Sequence, residues 1–260
     1  MTATARRLSK ALALAALLAT PLAALDVASA DGMYGKLLVR YVTPAGVRYA
    51  SWRAIGDDFK ELSQVVTAYR AADTKSLPAA DRQAFMINYH NARVLEAILQ
   101  GNPSRSIRDL SKALKPNEIF SRNLMVFEGR PISFDGIERK LLDDYKDPRV
   151  LFALHRAAKT SPPLRTEPYD SARLDAQLDD AASSYLALPG VLEVKTAGGK
   201  TTIVAPHLFE TQAGAFKAGG GALAFLAAHG PAPVSEAIKA GGARVKLEFR
   251  PDDWSLNAVH

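Results

Sequence analysis

Ser161 is the residue whose type and position best fit covalent chemistry. It lies in residues 157–163, where two consecutive prolines exclude regular structure, shortly after the apolar run 149–154. A serine hydroxyl becomes a nucleophile when a base lies within hydrogen-bond reach, and His155 is the candidate base. No Gly-x-Ser-x-Gly elbow surrounds Ser161, however, and a serine before two prolines is more often a turn residue bound to its own backbone. The pair Ser161 and His155 therefore indicates a hydrolase or acyl-transfer enzyme, with a turn as the simpler interpretation.

Histidines and carboxylates make up a second candidate site, a metal centre. Imidazole is the usual zinc ligand where thiolates are absent, and the available donors are His90, His155, His207 and Glu138. No two of these histidines have the spacing of a helix or hairpin ligand pair. His207 and Glu210 lie one helical turn apart, but helix geometry produces that spacing by chance. We therefore expect no metal and no cofactor.

The composition narrows the possible chemistry further. The chain of 260 residues carries a net charge of +6 and contains no cysteine. The missing thiol excludes a cysteine nucleophile, a thiolate zinc site and an iron–sulfur cluster. No basic run is interleaved with aromatic residues, so nucleic acid is not an expected partner.

The first 30 residues have the pattern of a secretory signal peptide. Arg6, Arg7 and Lys10 precede an apolar run over residues 11–19, and residues 28–30 read Ala-Ser-Ala, the small residues that a signal peptidase requires. The run is shorter than the roughly 20 residues that cross a bilayer. We expect cleavage after Ala30, a globular domain over residues 31–260 and a periplasmic or secreted location. An uncleaved anchoring helix is the alternative.

The remaining sequence predicts helices and hairpins without regular alternation. Apolar residues recur at three and four over residues 52–69 and again from residue 76 to Gly101, which predicts two amphipathic helices. Asn88 falls on the apolar side of the second helix, so we expect its amide to be bound by a neighbouring backbone or side chain. Further helices are predicted over residues 137–145 and after a cap at Asp170 or Ser171.

The predicted strands are short. Hairpins are expected over residues 124–134 and 191–204, a buried strand at residues 149–154 and a last strand at residues 243–249. These elements predict a single α+β domain with helices packed on a mainly antiparallel sheet. No internal repeat and no linker divides the domain.

Several short segments resemble the domain-of-unknown-function family 547 (DUF547). Residues 85–91 read Phe-Met-Ile-Asn-Tyr-His-Asn, and the resemblance continues through Ser106-Ile-Arg-Asp109, Asp147-Pro-Arg149, Lys159 and Pro162-Pro163-Leu164 to Trp254-Ser-Leu-Asn257. It covers residues 34–257. The order and spacing of the segments carry the resemblance, since each alone is unspecific.

The chain departs from the pattern of this family at the positions that could be reactive. Members of the family usually have two cysteines where this sequence has Arg156 and Ser161, and commonly a histidine where it has Arg139. Thiol or thiol–histidine chemistry therefore does not carry over. The missing cysteines and histidine indicate a protein whose ancestral site has been altered.

Polar residues in the segments that carry the resemblance form a candidate binding site. They would bind an anionic or peptide-like ligand through amide and charge-assisted hydrogen bonds. The set comprises Asn88, Asn91, Glu138, Arg149, Lys159 and Arg165. A structural network joining the second helix to the central strand is the alternative. We expect a non-catalytic envelope protein that binds a small molecule, peptide or envelope component, with the serine enzyme as the second hypothesis.

Overall fold

The structure is a computed structural model that describes residues 25–111, 115 and 117–259. Its helices, in chain order, are α1 (Val27–Tyr41), α2 (Tyr49–Ala54), α3 (Gly56–Ala71), α4 (Ala79–Gly101), α5 (Glu118–Ser121), α6 (Phe134–Tyr145), α7 (Val150–Ala153), α8 (Leu174–Leu186), α9 (Leu208–Thr211), α10 (Ala213–Phe216), α11 (Gly221–His229) and α12 (Ala232–Gly241). The strands are β1 (Val42–Thr43), β2 (Gly46–Val47), β3 (Met125–Phe127), β4 (Arg130–Ile132), β5 (Glu193–Ala197), β6 (Lys200–Pro206) and β7 (Lys246–Arg250).

These elements confirm the predicted α+β class. The strands form two hairpins, β1-β2 and β3-β4, and one sheet in the order β5-β6-β7. In the described part of the chain the pairing is antiparallel except between β6 and β7, which run parallel. The hairpins expected over residues 124–134 and 191–204 are confirmed. Among the residues that the structure describes, no helix is long and apolar enough to cross a membrane.

A first hydrophobic core, built mainly by α1, α3, α4 and α6, occupies the N-terminal part of the molecule. Helix α4 lies at its centre, and 15 of the 23 residues of α4 are buried. Such a helix must satisfy polar side chains inside the protein, because water does not reach them. The predicted helix over residues 52–69 is interrupted, since α2 ends at Ala54 and Ile55 takes an extended conformation before α3 begins.

A second hydrophobic core joins the three-stranded sheet to α8, α11 and α12. Ile203 and Ala205 of the central strand β6 are fully buried, and they pack with the aromatic cluster of Phe152, Phe209 and Phe225. Phe152 stacks on Phe225 with ring centroids 5.2 Å apart. Because the two cores share no buried residue, the molecule has two separately packed regions.

Helix α7 connects the two cores, and it corrects the strand predicted for residues 149–154. Val150, Ala153 and Leu154 belong to the first core, whereas Leu151 and Phe152 belong to the second. This three-to-two division has the period of a helix, because a strand would send residues 150, 152 and 154 to one side. The run is apolar on every side because both sides are buried, so its hydrophobicity alone could not distinguish a helix from a strand.

The C-terminal residues return to the first core. The Asn257 carbonyl accepts a hydrogen bond from the Val47 backbone amide at 2.9 Å, and the Leu256 amide donates to the Arg105 carbonyl at 2.7 Å. This return passes so close to Gly46, whose φ is +141°, that a Cβ there would lie 2.0 Å from the Asn257 oxygen. The chain end thereby brings Trp254 and Asn257 against residues more than 90 positions upstream in sequence.

Candidate ligand-binding cleft

A cleft of about 840 Å³ lies where the two cores meet. Its apolar lining comes from both cores, with Phe120, Leu154 and Trp254 on one side and Leu151 and Phe249 on the other. Its polar lining consists of Arg108, Asn117, Asp135, Glu138, Arg139, Arg156, Thr160, Ser161, Tyr185, His207, Glu210, Thr211, Gln212 and Asp252. The volume lies within the range of about 300–1,000 Å³ that is typical of ligand pockets.

Arg156 is at the centre of a charged network in this cleft. Its Nη2 donates to Glu138 Oε2 at 2.7 Å and to Asp135 Oδ1 at 3.1 Å. The other oxygen of Glu138 accepts from Gln212 Nε2 at 2.7 Å. Burial alone would lower the pKa of Arg156, but the two carboxylates outweigh it and raise that pKa. The network joins α6, which carries both acids, to the loop after α7 and to the end of α9.

Two arginines and two aromatic rings form one wall of the cleft. The Arg108 guanidinium lies 3.7 Å from the ring centroid of Trp254, and Trp254 packs on Phe120 with centroids 5.7 Å apart. Arg156 lies over the other ring, 4.7 Å from the Phe120 centroid. Cation–π contacts of this kind hold guanidinium groups in fixed positions beside a binding surface.

His207 and two carboxylates lie elsewhere along the cleft, where the parallel strands β6 and β7 end. His207 Nε2 is 3.1 Å from Glu210 Oε2, and His207 Nδ1 is 3.6 Å from Asp252 Oδ2. The lining therefore combines three arginines with four carboxylates, Asp135, Glu138, Glu210 and Asp252. A cleft with this charge distribution can meet positive and negative groups of the same ligand.

Ser161 lines the cleft, but its hydrogen bonds are those of a turn. Its Oγ accepts from the Ala158 amide at 3.2 Å, and its own amide donates to the Ala158 carbonyl at 3.0 Å. In this turn the Ser161 side chain bonds to the backbone, which is the simpler of the two interpretations given for Ser161 from the sequence.

His155, the candidate base, is only 1% exposed and uses both ring nitrogens elsewhere. Its Nδ1 donates to the Pro162 carbonyl at 3.1 Å, and its Nε2 accepts from Asn257 Nδ2 at 3.3 Å. Burial lowers its pKa to about 4. Asn257 is itself fixed, because its Oδ1 accepts from the Tyr49 hydroxyl at 2.8 Å. The ring of His155 therefore ties the loop after α7 to the C-terminal return.

Asn88 and Asn91, predicted to bind a ligand, are buried in the first core and bound to backbone. Asn88 pairs with both backbone groups of Tyr169, donating to its carbonyl at 2.9 Å and accepting from its amide at 2.8 Å. Asn91 donates to the Ala153 carbonyl at 2.8 Å and accepts from the His155 amide at 2.9 Å. The backbone partner expected for Asn88 is confirmed.

Of the other residues in the predicted binding set, only Glu138 lines the cleft. Arg149 binds Asp147, Asp175 and Asp179, each at 2.8 Å, and the bond to Asp147 contributes most to raising its pKa. Arg165 is held by Glu167 and Asp180. The side chain of Lys159 is exposed, and its backbone amide donates to the Ser255 carbonyl at 2.9 Å. Of the residues predicted as catalytic or ligand-binding, Glu138 and Ser161 thus line one cleft, and the others are not among its lining residues.

The histidines considered as metal ligands have other roles. His90 is buried, with Nδ1 3.2 Å from Asn91 Oδ1 and its ring edge-on to Phe134, and burial lowers its pKa to about 3. Within the described residues, no three histidine or acidic side chains are grouped so that they could hold a metal ion.

The residues that sequence reasoning missed are those that complete the cleft from distant parts of the chain. Arg108, Gln212 and Asp252 were not candidates, although Trp254 lies in a segment that carries the family resemblance. Spacing gave no signal for them, since Gln212 lies 74 positions from its partner Glu138. The three positions at which the chain departs from the family pattern, Arg139, Arg156 and Ser161, all line this one cleft.

Comparison with known proteins gives one result for the chain. Residues 74–186 match the model of a family described as a protein of unknown function, DUF547. The match runs from the segment before α4 to the end of α8, so it includes Glu138, Arg156 and Ser161 but not His207 or Trp254. No curated protein and no solved structure matches the chain.

Proposed function

We propose that the protein binds a short peptide-like ligand, without catalysis, in the cleft that Arg139, Arg156 and Ser161 line. All three residues lie within the segment 74–186 that matches the DUF547 family model. The observation that carries the proposal is the mixed charge of the lining, three arginines beside four carboxylates. The function of the family itself is unknown, so the chemistry of the cleft supplies the argument.

The hydrogen bonds of Ser161 and His155 support the non-catalytic part of the proposal. A general base needs a free lone pair directed at the nucleophile, and the Nε2 lone pair of His155 already accepts from Asn257. Ser161 Oγ accepts from a backbone amide, which orients the hydroxyl oxygen towards its own turn. None of these hydrogen-bond partners of Ser161 could act as a general base and remove the proton of its hydroxyl.

The charges in the lining support the ligand class. A purely anionic ligand would gain from Arg108 and Arg139 but would approach Glu210 and Asp252 at the same time. A short peptide carries a carboxylate, an ammonium and amide groups, so each kind of lining group has a partner. The aromatic wall of Phe120 and Trp254 adds an apolar surface for a side chain of the peptide.

We also propose that the protein acts in the periplasm. The support is the order of basic, apolar and small residues in the first 30 positions. A short peptide or a peptide-bearing envelope component is a ligand of suitable chemistry in that compartment. Cell fractionation that finds the protein only in the cytoplasm would contradict this part of the proposal.

Titration calorimetry with three matched sets of dipeptides and tripeptides tests the ligand class. The sets have free termini, an acetylated amino terminus or an amidated carboxyl terminus. We expect the free peptides to bind and either block to weaken binding about tenfold, or about 1.4 kcal/mol. Acetylated peptides that bind as tightly as free ones would indicate an anion site instead, and a lack of binding in all three sets would refute the proposal.

Matched variants locate the binding in the cleft. Arg139→Gln and Glu210→Gln remove one charge of each sign from the lining, and both should weaken binding of the free peptides. Arg70→Gln and Glu236→Gln remove the same charges at exposed positions outside the cleft and should leave binding unchanged. Equal effects of the cleft and control variants would show that net charge, not the cleft, controls binding.

A further inference from the structure

The first turn of α1 contains the residues at which signal cleavage is expected from sequence. We propose that the mature protein retains residues 26–30, so that any leader is removed before Asp26. The position at which the mature chain begins does not depend on the ligand of the cleft.

Asp26 is the N-cap of α1. Its Oδ1 accepts a hydrogen bond from the Ser29 amide at 2.7 Å, and its carbonyl accepts from the Ala30 amide at 2.9 Å. The capping bond lowers the pKa of Asp26, which keeps the carboxylate charged beside the helix N-terminus. Cleavage after Ala30 would remove the cap and the first turn together, and it would leave the next amides of α1 without their acceptors.

Three residues of the segment 25–30 also contact the first core. Ala30 is fully buried among core residues, and Leu25 and Val27 pack against that core. Ala28 and Ser29, in contrast, are exposed. This alternation of buried and exposed residues has the period of an amphipathic helix. The small side chain of Ala30 is therefore explained by its place on the buried face of α1, and a requirement of signal peptidase is not needed to explain it.

Asp31 would be the new terminal residue if cleavage followed Ala30. Its Oδ1 accepts from the Tyr69 hydroxyl and from Asn88 Nδ2, the latter at 3.5 Å, so it joins α1 to α3 and α4. Cleavage would place a charged ammonium beside this half-buried junction and leave Asp31 on a frayed helix end. Retention of residues 26–30 keeps the junction inside a formed helix.

The sequence offers a cleavage point upstream. Ala23 and Ala24 lie directly before Leu25, and they follow the apolar run 11–19 at a short distance. A small residue directly before the cut and an apolar run a few residues earlier are two of the features that a signal peptidase reads, whereas the third position before either cut, Pro21 or Leu22, is not a small residue. Cleavage after either alanine would leave the whole of α1 on the mature chain.

Intact-mass measurement of the full chain, expressed in a bacterium and recovered from whichever fraction contains it, tests the proposal directly. A polypeptide that begins at Asp26 or at any earlier residue supports it. A polypeptide that begins at Asp31, or at any residue after Asp26, overturns it.

Thermal unfolding of variants in the same full-length gene gives a second measurement. Asp26→Ala should lower the Tm of the recovered protein by about 2–4 °C through loss of the cap. Ala30→Leu should lower it further because the side chain has no space in the core, whereas Ala28→Leu, at an exposed position of the same turn, should leave it unchanged. If Asp26→Ala and Ala30→Leu both leave the Tm unchanged, the segment is absent from the folded protein and the proposal fails.

Discussion

The polar residues of the first core and those of the cleft differ in the partners that satisfy them. In the core, Asn88 and Asn91 bond to backbone atoms on both sides of their amides. In the cleft, Glu138, Arg156 and Gln212 bond mainly to one another's side chains at the edge of solvent. Backbone partners cannot leave without unfolding, whereas side-chain partners can rearrange around a ligand. The backbone partners of Asn88 and Asn91 therefore distinguish these two residues from the candidate binding residues of the cleft.

Asn91→Ala should produce the largest loss of stability. It leaves the Ala153 carbonyl and the His155 amide without partners inside the first core, and each buried unsatisfied group costs about 1–3 kcal/mol. We expect the free energy of unfolding in urea to fall by about 2–4 kcal/mol. Gln212→Ala, which removes an amide from the cleft, should cost less than about 1 kcal/mol. Equal losses for the two variants would remove the distinction between the regions.

The buried histidines of the first core should make the protein sensitive to mild acid. Burial lowers the pKa of His155 to about 4 and that of His90 to about 3, whereas an unfolded histidine has a pKa near 6.5. Below about pH 6.5 the unfolded chain therefore binds more protons than the folded protein. Stability is fully present above that pH and is lost towards pH 4, by about 1.4 kcal/mol per pH unit for each histidine.

Urea unfolding of His155→Gln between pH 6.5 and pH 4.5 checks this dependence. The variant removes one of the two buried histidines, so the slope of stability against pH should fall by up to about 1.4 kcal/mol per pH unit. Comparing slopes, not absolute stabilities, separates the titration from the lost hydrogen bonds of the ring. A slope equal to that of the unmodified protein would show that His155 does not remain neutral in the folded state.

Arg156→Met tests whether the network of the cleft is coupled. It leaves Glu138, whose side chain is 7% exposed, without its charged partner, and we expect a loss of about 1–2 kcal/mol because the site is partly solvated. The double variant Arg156→Met with Glu138→Gln should recover part of the loss, since no uncompensated charge then remains. Additive losses in the double variant would argue against coupling between Arg156 and Glu138. Arg139→Gln removes a positive charge at an exposed lining position outside the network and serves as the control.

Ser161→Ala should have a smaller effect than Asn91→Ala or Arg156→Met. It removes one turn hydrogen bond to the Ala158 amide, worth about 0.5–1.5 kcal/mol. In the unmodified protein, Ser161 should not react with a serine-directed fluorophosphonate probe, and mass spectrometry of the whole protein measures this. Stoichiometric labelling that disappears in Ser161→Ala would overturn the non-catalytic proposal and support the hydrolase or acyl-transfer alternative.

Much of the fold could be predicted because amphipathic elements carry their own periodicity. Helix α4, the hairpin of β3 and β4, and the cap of Asp170 before α8 are all confirmed. Helix α7 could not be predicted, since it is buried on both sides and its apolar run has no polar face to set a period. Helix α1 was not predicted because residues 28–30 of its first turn have the sequence pattern expected of a cleavage site.

The candidate site was predictable only in part. Glu138 and Ser161 reach the cleft, but local spacing could not show that Arg149 and Arg165 would be neutralised by acids on α8. Nor could it show that Asn88 and Asn91 would turn towards backbone atoms. Whether a polar side chain can bind a ligand depends on which groups surround it in the folded protein.

The sequence by itself determined helix α4, the hairpins over residues 124–134 and 191–204, the burial of Asn88 and the absence of thiol chemistry, because these follow from residue type and near neighbours. Only the tertiary structure decided which charges share the cleft. Asp252 meets His207 at the ends of β6 and β7, and Arg108 meets Trp254 at the C-terminal return. Such contacts join residues separated by 45 positions or more in the sequence, and they exist only after both cores have packed around α7.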